Sequence, residues 1–488
     1  MAVDFMKHFP FPTMRAGQKT TLEIAQETIN DWEVLVVRAP VGSGKSGIAV
    51  SIQAGLNEQG WGCNIIVPNN LLRDQYTSEF PFIKTVKGQH EYIVPASSVL
   101  HGRRRLPFAD MSVKEFRRQY GTWPRGNQYT KDLGEVRKKT TPTVLNYYAY
   151  MAHAKTSKTV YKDVLIIDEA HKMLETLKDI HATRIWQHKV KYPDGLRSFG
   201  ELIDWAERNE HKDHKIATLL EELNRKHPAS VIEYSMDFYR GEQKHCIKIK
   251  PLTVADKAPF FWPERVKRII LMSATISPKD IEMMGLGDRV VKYVDTPSPI
   301  PKEHRAILPL NTCSMAYRSQ EANLDKVVHK IKELAASHAG ESGMIHAPYS
   351  LASKLKTKLH SDDRFLFHTR LDKNEKLEQF KSSKGKILLG SGFYEGIDLK
   401  YELARWQVVL KIPYPNLSDS SNRWISKNDS EYYAWLTARE LLQASGRVCR
   451  AEDDYGVTYV LDSCWSQWYN TCERLLPLWF RESVTLRR

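Results

Sequence analysis

The chain has 488 residues, too many for one ordinary core, and its length predicts about three folding units. Hydrophobic residues make up 42% and charged residues 27%, a globular balance that excludes the disordered and membrane-embedded classes. The formal net charge of +14 favours polyanionic partners such as nucleic acid over acidic small substrates.

The cysteines and the beginning of the chain bear on location. Six cysteines lie at positions 63, 246, 313, 449, 464 and 472 without a C-x-x-C pair, which predicts neither a disulfide framework nor a standard zinc ribbon. Met1 to Pro12 lacks the cationic-then-apolar order of a signal peptide. No apolar stretch approaches the roughly 20 residues needed to cross a bilayer. We therefore expect an intracellular, cytoplasmic protein with reduced thiols and no membrane partner.

Short apolar, β-branched runs recur along the chain ahead of turn or helix signals, as is typical of buried parallel strands. The predicted strands are Glu33 to Val37, Asn64 to Val67, Val164 to Ile167, Arg268 to Met272, Met344 to His346, Lys386 to Leu389, Val408 to Ile412 and Thr458 to Leu461. Helical patterns such as Lys45 to Leu56 and Leu324 to Ser337 lie between them. The fold class predicted is α/β, with two parallel sheets.

A phosphate-binding loop follows the first predicted strand. Ala39 to Ser46 leads from that strand into a helical pattern, which is the context that a P-loop requires, although Ala39 stands where the usual formula has Gly. The predicted phosphate cradle is the backbone of Gly42, Ser43 and Gly44. Lys45 adds a positive charge beside the β and γ oxygens, and Ser46 is a predicted Mg²⁺ ligand.

Two stretches interrupt the α/β alternation. Phe80 to Thr140 is basic and aromatic, while Lys172 to Trp262 reads as charged helices around Phe199 to Lys226, followed by a possible hairpin from Val231 to Ile249. The first stretch contains Arg103, Arg104, Arg105, Arg117, Arg118, Arg125, Lys131, Arg137, Lys138 and Lys139, interleaved with Tyr120, Trp123 and Tyr129. Such residues can grip a nucleic-acid backbone and stack on bases, and a solvated basic loop is an equally good interpretation.

Two adjacent carboxylates end the strand that begins at Val164. Asp168 and Glu169 lie at its C-terminal tip, where α/β sheets place ligands. Asp168 is a predicted Mg²⁺ ligand, and Glu169 is predicted to orient and deprotonate an attacking water. The alternative is a helix N-terminus with acidic residues in its first turn. The P-loop upstream favours phosphoryl-transfer chemistry.

Arginines for the other side of a nucleotide site occur near the end of the chain. Gln443-Ala-Ser-Gly446-Arg447-Val-Cys-Arg450 follows a helical pattern and spaces two arginines as on one helical face. Arg447 and Arg450 are candidate arginine fingers, and Gln443 is predicted to reach the γ-phosphate region. An exposed cationic helix end is the alternative.

These elements, taken in order, resemble the XPD/DinG-like helicases of superfamily 2. The matching segments are Arg15 to Gln18 (adenine-side R-x-x-Q), Ala39 to Ser46 (motif I), Val67 to Gln75 (Ia), Thr143 to Asn146 (V-x-N-H/Y), Asp168 to His171 (II), Ser273 to Thr275 (III), Met344 to Tyr349 (IV), Gly390 to Asp398 (V) and Gln443 to Arg450 (VI). Tyr394 stands where motif V usually has Trp.

The resemblance implies two RecA-like P-loop motor domains with two insertions in the first, one iron–sulfur-domain-like and one arch-like. The predicted segments are 1–79, 141–171 and 263–300 for motor domain 1, 80–140 and 172–262 for the two insertions, and 301–488 for motor domain 2. Arg15, Gln18 and Asp398 are expected at the nucleotide. The expected nucleic-acid contacts are Pro68, Asn69, Asn146, Tyr349, Gly392 and Glu395, with His171, Ser273 and Thr275 coupling the two sites.

The chain departs from the family at the iron–sulfur position. Val86 to Val94 resembles the family's K-G-R-x-N-Y-x-C, with Val94 where the first cluster cysteine belongs. A [4Fe–4S] cluster needs four such ligands, and Cys63 is the only cysteine between Lys45 and Asp168. We predict no iron–sulfur cluster and an insertion held by Phe80, Phe82, Tyr92, Phe108, Phe116, Tyr120 and Trp123. His211 and His214 are read as a solvated face and not as a zinc site.

The function predicted is an ATP- and Mg²⁺-dependent DNA helicase or translocase, moving 5′ to 3′ on single-stranded DNA and opening forked or overhang duplexes as a monomer. A DNA translocase without unwinding, an RNA helicase and a non-enzymatic loading factor with a vestigial nucleotide pocket stay open. Completeness of the catalytic set Lys45, Glu169, Gln443, Arg447 and Arg450 favours an enzyme.

Overall fold

The computed structural model describes residues 3–40, 42–94, 100–101, 104–105, 110–124, 126–156, 160–224, 230–239, 242–369, 371–392, 399–449 and 451–485, with the backbone alone at 100–101, 104–105 and 154–156. The helices are α1 Ala16–Glu27, α2 Lys45–Glu58, α3 Asn70–Glu79, α4 Val113–Tyr120, α5 Gln128–Arg137, α6 Tyr147–Thr156, α7 Met173–His181, α8 Phe199–Asn209, α9 His214–Asn224, α10 Ala258–Phe261, α11 Pro278–Met283, α12 Leu324–Ser337, α13 Tyr349–Leu359, α14 Lys373–Lys381, α15 Ser420–Asn428, α16 Ser430–Ser445, α17 Trp465–Cys472 and α18 Leu478–Arg481. Within the described residues, no helix is long and apolar enough to span a membrane.

The strands are β1 Val34–Arg38, β2 Cys63–Val67, β3 Ile93–Val94, β4 Leu100–His101, β5 Arg104–Arg105, β6 Met111–Ser112, β7 Thr143–Asn146, β8 Val164–Asp168, β9 Thr183–Trp186, β10 Ser230–Tyr239, β11 Glu242–Pro251, β12 Arg268–Met272, β13 Val291–Asp295, β14 Ile307–Cys313, β15 Gly343–His346, β16 Phe365–Phe367, β17 Ile387–Gly390, β18 Trp406–Val409 and β19 Val457–Asp462. Each predicted strand is present within a few residues of its predicted bounds. The predicted strand Val408 to Ile412 ends earlier, at Val409, because the backbone N–H of Ile412 donates to the Asp462 carboxylate at 3.0 Å.

A first sheet has the order β13-β1-β12-β8-β2-β7, and all of its strand pairs are parallel. Its central strands are buried apolar runs, because helices cover both faces of such a sheet. Parallel strands place all their C-terminal ends on one edge. That edge carries the P-loop, the Asp168 tip and the Ser273 segment together.

A second sheet has the order β14-β19-β18-β15-β17-β16 and is also parallel throughout. The prediction of an α/β fold with two parallel sheets is therefore confirmed. We call the parts of the molecule built around the first and the second sheet its two halves. The largest apolar cluster contains buried residues from both halves, among them Ile281 and Met284 near the first sheet and Tyr432 and Trp435 of α16. The two halves thus pack directly against each other.

A third, antiparallel sheet lies within the second interruption of the chain. Its order is β10-β11-β9, and β10 and β11 form the hairpin that the sequence predicts. Helices α8 and α9 cover one face with their own apolar cluster, which includes Leu202, Leu219 and Ile247. At its base, the Ser420 hydroxyl of α15 donates to the Ile232 carbonyl of β10 at 2.8 Å. The hairpin base therefore contacts the half of the molecule that contains the second sheet.

Candidate nucleotide and nucleic-acid sites

The P-loop is held by two side chains from the N-terminal segment. Gly42 and Gly44 have φ of 81° and 76°, in the left-handed region that favours glycine. Gln18 Nε2 donates to the Gly44 carbonyl at 3.1 Å, and the Arg15 guanidinium donates to the Gly42 carbonyl. A Cβ at Gly44 would lie 2.3 Å from Gln18 Nε2, so no larger residue fits there without displacing Gln18. Arg15 and Gln18 therefore shape the loop itself.

Ser43, beside these glycines, carries a buried hydroxyl. It is 2% exposed, and among the residues that the structure describes its Oγ has no hydrogen-bond partner. A buried polar atom without a partner is costly. An oxygen-rich ligand in the loop would supply that partner, so the loop fits a phosphate chain.

The paired carboxylates lie directly opposite the P-loop lysine. Lys45 Nζ is 3.5 Å from Glu169 Oε1. The Tyr76 hydroxyl and the backbone N–H of Glu169 each donate to the Asp168 carboxylate at 2.9 Å. Glu169 has a φ of 52°, a left-handed conformation that is uncommon for a non-glycine residue and clusters at functional sites.

Burial and neighbouring charges move the pKa values of the two acids in opposite directions. Burial raises the pKa of Asp168, and the negative charge of Glu169 raises it further. Burial alone would raise the pKa of Glu169 as well, but the positive charges of Lys45 and Lys172 outweigh it and hold this pKa below its usual value. Glu169 is therefore kept ionised, as a group that accepts a proton must be.

The donor set fits Mg²⁺. The Ser46 hydroxyl, at the start of α2, and the Asp168 carboxylate, at the end of β8, lie on the same edge of the first sheet. Hydroxyl and carboxylate oxygens, completed by phosphate and water, are what this ion prefers. Among the described residues, no group of three or more His, Cys, Asp and Glu side chains could hold a metal by itself.

Three predicted residues form a hydrogen-bonded chain across the cleft between the halves. The Gln443 amide Nε2 is 2.9 Å from His171 Nε2, and His171 Nδ1 is 2.9 Å from Ser273 Oγ. An amide nitrogen only donates, so His171 Nε2 accepts and Nδ1 carries the proton. The backbone N–H of Thr275 donates to the same Ser273 Oγ at 3.0 Å. The elements that resemble motifs II, III and VI are thus in direct contact.

Arg447 does not lie on a helix, so the predicted placement of this residue on a helical face was wrong. Helix α16 ends at Ser445 with Gly446 as its C-cap, and Arg447 lies in the turn that follows. Gly446 favours the helix end, which removes the cost that a mid-helix glycine would carry. Arg447 is buried, and its charge lowers the pKa of the nearby His346. Arg450 lies outside the described residues.

A cavity of about 630 Å³ adjoins the P-loop on the side of Arg15 and Gln18. Its lining also includes residues that the sequence analysis missed, among them Phe11, Glu79 and Glu452. Glu452 comes from the half with the second sheet and so closes the cavity from across the cleft. The closeness of Phe11 to Arg15, and of Glu452 to Arg450, in the sequence was the available signal. Asp398, the remaining predicted nucleotide contact, lies outside the described residues.

Three of the predicted nucleic-acid contacts, Pro68, Asn69 and Asn146, lie together at one edge of the first sheet. Asn69 and Pro68 follow β2, and Asn69 caps α3 by accepting from the Leu72 N–H at 2.9 Å. The Asn146 amide, at the end of the neighbouring strand β7, donates to Asn70 Oδ1 at 2.5 Å. Side-chain amides and a helix N-terminus at one place suit phosphate oxygens.

Two of the predicted contacts of the second half, Tyr349 and Gly392, lie at the corresponding edge of the second sheet. Tyr349 begins α13, and the residue two positions before it, Ala347, donates its N–H to the Gly390 carbonyl at 3.0 Å, which joins β15 to the glycine-rich segment. Gly392 has a φ of 77°, and its carbonyl accepts from Lys373 Nζ at 2.5 Å. Glu395 lies outside the described residues.

Between this edge, α7 and β11 is a cavity of about 550 Å³ that the sequence analysis did not anticipate. The cationic side chains that line it are Lys178, Lys250, Lys411 and Arg439. Burial alone would raise the pKa of Glu175 in the same wall, but Lys178 and Lys250 lower it to about 2. No sequence motif marks these residues, because their proximity arises from packing between distant segments.

The basic insertion follows the predicted aromatic packing only in part. Phe116 is fully buried, whereas Phe82 is 50% exposed and does not support the core. Trp123 stacks on Tyr129, with ring centroids 5.3 Å apart, and Arg117 lies 3.8 Å from the Trp123 ring centroid. Tyr120 packs on Phe116. Trp123 therefore already has intramolecular stacking partners. The structure does not describe Arg103 and Phe108, nor the side chains of Arg104 and Arg105.

The residues present do not fit a [4Fe–4S] cluster. Val94, in the place of the first cluster cysteine, is 3% exposed in β3 and packs with Val113 and Phe116. Cys63 is fully buried in β2, and burial raises the pKa of its thiol well above the usual range. Four thiolates are required, and the sequence offers none between residues 64 and 245.

The chain is similar to known helicase families. The Helicase C-terminal domain matches residues 331–483, and the Type III restriction enzyme res subunit matches residues 11–192. The ATP-dependent DNA helicase DinG of Photobacterium profundum is 23% identical over 327 residues, which are 60% of this chain and 46% of that protein. The chain spans less than half the length of the curated relatives that it matches.

Solved structures share the fold over almost the whole chain. An XPD helicase has a TM-score of 0.61 at 14% identity, covering 98% of this chain and all of its own. The Xpd4 protein of S. tokodaii has a TM-score of 0.57 at 14% identity, covering 97% of this chain and all of its own. The matching helicase domains, the DinG relatives and the shared fold of the XPD structures together support the resemblance to the XPD/DinG-like helicases of superfamily 2.

Proposed function

We propose that this chain is a DNA helicase, an ATP- and Mg²⁺-dependent motor that moves 5′ to 3′ on single-stranded DNA and opens forked or overhang duplexes. The observation that carries the proposal is the contact of Gln443 with His171, at 2.9 Å. It joins the second half of the molecule to the segment that holds Asp168 and Glu169. Hydrolysis in such a cleft changes the contact between the halves, which is how a motor of two domains converts ATP into movement.

Each residue of the proposed nucleotide site has its own chemical role. Lys45 and the P-loop N–H groups hold the phosphate chain, and Ser46 and Asp168 would hold Mg²⁺, which supplies positive charge to the phosphate oxygens. Glu169 accepts the proton of the attacking water, and Lys45 beside it keeps its carboxylate ionised until then. Arg447 supports the charge that develops on the transferred phosphoryl group. Arg450 is proposed for the same role from its sequence position alone.

The DNA track is proposed to cross both sheet edges. Asn69, Asn70 and Asn146 provide amide groups on the first edge. The cavity beside the second edge adds Lys411 with the ring of Tyr414. Proteins that bind single strands commonly use lysines to contact phosphates and an aromatic ring to stack on a base. DinG is described as a DNA helicase, and this similarity favours DNA over RNA.

The remaining proposals concern the molecule as a whole. Both sides of the nucleotide site lie in one chain, so a monomer is sufficient for hydrolysis. We propose that it acts inside the cell, where its nucleic-acid substrate lies. We retain the predicted segments, with an insertion at 80–140 and an arch-like insertion at 172–262 in the first motor domain, as the division to be tested by deletion.

Replacing the base tests the enzyme proposal most directly. Glu169→Gln keeps the shape of the side chain but cannot accept a proton, so single-strand-stimulated ATP hydrolysis should fall by at least about 100-fold. Binding of a fluorescent ATP analogue should be retained. Glu207→Gln, on the exposed face of α8, removes one carboxylate far from the cleft and serves as the matched control.

The outcomes separate the competing functions. Loss of turnover with intact nucleotide binding supports Glu169 as the base. Normal turnover in Glu169→Gln would refute that assignment. If the wild-type protein hydrolyses no ATP with single-stranded DNA or RNA but binds both, the non-enzymatic loading factor replaces the motor.

A further inference from the structure

Asp280, in the first turn of α11, divides its carboxylate between the two halves of the molecule. One oxygen, Oδ2, accepts from the backbone N–H and the hydroxyl of Ser277, both at 2.8 Å, and so caps its own helix. The other oxygen, Oδ1, accepts from the Tyr432 hydroxyl at 2.6 Å and from Arg439 Nη2 at 2.8 Å. Tyr432 and Arg439 belong to α16, which covers the second sheet. Asp280 is 1% exposed, so this contact is shielded from water.

The contact lies on the same stripe of α16 as the residue that reaches the catalytic segment. Arg439 and Gln443 are four residues apart on the helix and therefore lie on one face, one above the other. Arg439 touches Asp280, and Gln443 touches His171 one turn later. Helix α16 is thus fixed to the first half at two successive points, and Arg447 follows directly after its end.

Charge and burial make the first of these points strong. A buried charge without its partner is expensive, so removing either side of a buried ion pair is strongly unfavourable. Burial alone would raise the pKa of Asp280, but Arg439 and the hydrogen bonds from Tyr432 and Ser277 hold this pKa below its usual value. The carboxylate stays charged, and the pair persists at neutral pH.

We infer that the contact of Asp280 with Tyr432 and Arg439 is a clasp that positions α16 across the cleft, and so sets the placement of Gln443 and Arg447 at the nucleotide. Asp280 and Arg439 are positioning residues in this role, since they act through α16. The inference rests on the proposed ATPase function for its kinetic consequence. Its structural consequence, the ordering of α16 against the catalytic segment, does not depend on hydrolysis.

The test weakens the ion pair of the clasp from each of its two partners. Asp280→Asn and Arg439→Gln each weaken the clasp, and each should lower kcat for ATP at saturating single-stranded DNA by about ten- to hundredfold, because small misplacements of catalytic groups have effects of this size. The KM for ATP should stay within about twofold, since an interaction made only in the transition state affects kcat. The double variant should be no slower than the slower single variant, because both changes remove one contact.

Two control variants exclude a merely structural role. Ser277→Ala removes the hydroxyl that contacts the other Asp280 oxygen, so it should lower the thermal midpoint through the lost helix cap and leave kcat unchanged. Arg474→Gln removes an ion pair of the same chemistry between the second half's own elements, at Glu431 of α16. It should leave both kcat and stability near wild type. Equal loss of kcat in Ser277→Ala and Arg439→Gln would overturn the clasp.

Arg439 also lines the cavity beside the second sheet edge, so its effect on DNA must be separated from the clasp. Asp280 does not line that cavity. If Arg439 acted through DNA, Arg439→Gln would weaken single-strand affinity, Asp280→Asn would not, and the double variant would be additive. That result would overturn the inference.

Hydrogen exchange provides a measurement that is independent of hydrolysis. Weakening the clasp should raise exchange in the C-terminal turns of α16 and in the segment from Asp168 to Lys172, which Gln443 contacts through His171. Exchange in α12, which lies on the other side of the second half, should not change. A wild-type protein without ATPase activity would refute the proposed function, while this exchange pattern would still support the clasp. Unchanged exchange in both segments would refute the clasp whatever the activity.

Discussion

His346 shows how a single side chain connects stability to pH in this molecule. It is buried at the end of β15, and its Nε2–H donates to the Gln407 amide oxygen at 2.9 Å. Gln407 Nε2 in turn donates to the Ala444 carbonyl, in the last turn of α16, at 2.9 Å. Burial, with a further contribution from the charge of Arg447, lowers the pKa of His346 to about 4. The folded protein therefore holds this imidazole neutral.

This pKa predicts a loss of stability in mild acid. Unfolded histidine has a pKa near about 6.5, so between that pH and about 4 the unfolded chain binds more protons than the folded one. Above the unfolded pKa, the neutral His346 makes its full contribution to the free energy of unfolding. That free energy should fall by about 3 kcal/mol as the pH drops from the unfolded to the folded pKa. His346→Gln keeps a donor for Gln407 but cannot titrate. Thermal midpoints at pH 7.5, 6.0 and 5.0 should decline less in this variant than in the wild type, and parallel declines would contradict the prediction.

At the residue scale, the sequence predicted the groups whose chemistry depends on spacing along the chain. Lys45, Asp168 and Glu169 belong to short motifs at strand ends, and parallel strands bring such ends together without further information. Tyr76 and Asp280 could not be predicted in the same way. Their partners are distant in the sequence, and nothing in a tyrosine or aspartate at a helix indicates which buried group it will meet.

The elements that the sequence revealed are those buried on both faces. Strands such as β8 and β12 are continuous apolar runs, because helices cover both sides of the sheet. The edge strands were missed for the opposite reason. Strand β13 carries Lys292 and Asp295 among its five residues, and β14 contains Pro309 and Asn311, so neither shows an apolar run. Edge strands tolerate such residues because one side lacks a neighbour.

A prediction for the basic insertion also belongs to the scale of the element. If Arg103, Arg104 and Arg105 contact DNA phosphates, replacing all three with Ala should weaken single-strand binding and make its salt dependence shallower, by up to about 2 in the slope of log affinity against log salt concentration. The control replaces Arg208, Lys212 and Lys215, which are exposed in the other insertion, and so changes the net charge equally. Fluorescence anisotropy from low to moderate salt measures both slopes. Identical slopes in the wild type and the Arg103–Arg105 variant would make the segment a solvated loop.

At the scale of the whole molecule, the two sheets present their C-terminal edges to one cleft, and the residues proposed to bind nucleotide and the proposed DNA track lie along those edges. The order of the motifs allowed this arrangement to be predicted. The packing of the insertions could not be, because their contacts with the motor join residues from separate segments of the chain. An example is the buried Arg73 of α3, whose guanidinium contacts Glu91 of the basic insertion at 3.1 Å. Ion pairs of this kind leave no periodic pattern in the sequence.

The polarity of movement is a prediction for the molecule as a whole. A duplex with a 5′ single-stranded overhang should be opened in the presence of ATP and Mg²⁺, whereas a duplex with a 3′ overhang should stay closed, because the proposed track is followed 5′ to 3′. Glu169→Gln on the 5′ overhang is the control for ATP dependence.

Displacement of streptavidin from biotin at the 3′ end of a single strand reports movement without any duplex to open. Displacement together with unwinding from the 5′ overhang supports a helicase, and displacement alone leaves a translocase whose cluster-free insertion does not split the duplex. Opening of the 3′ overhang alone would show that the polarity is the reverse of the one proposed.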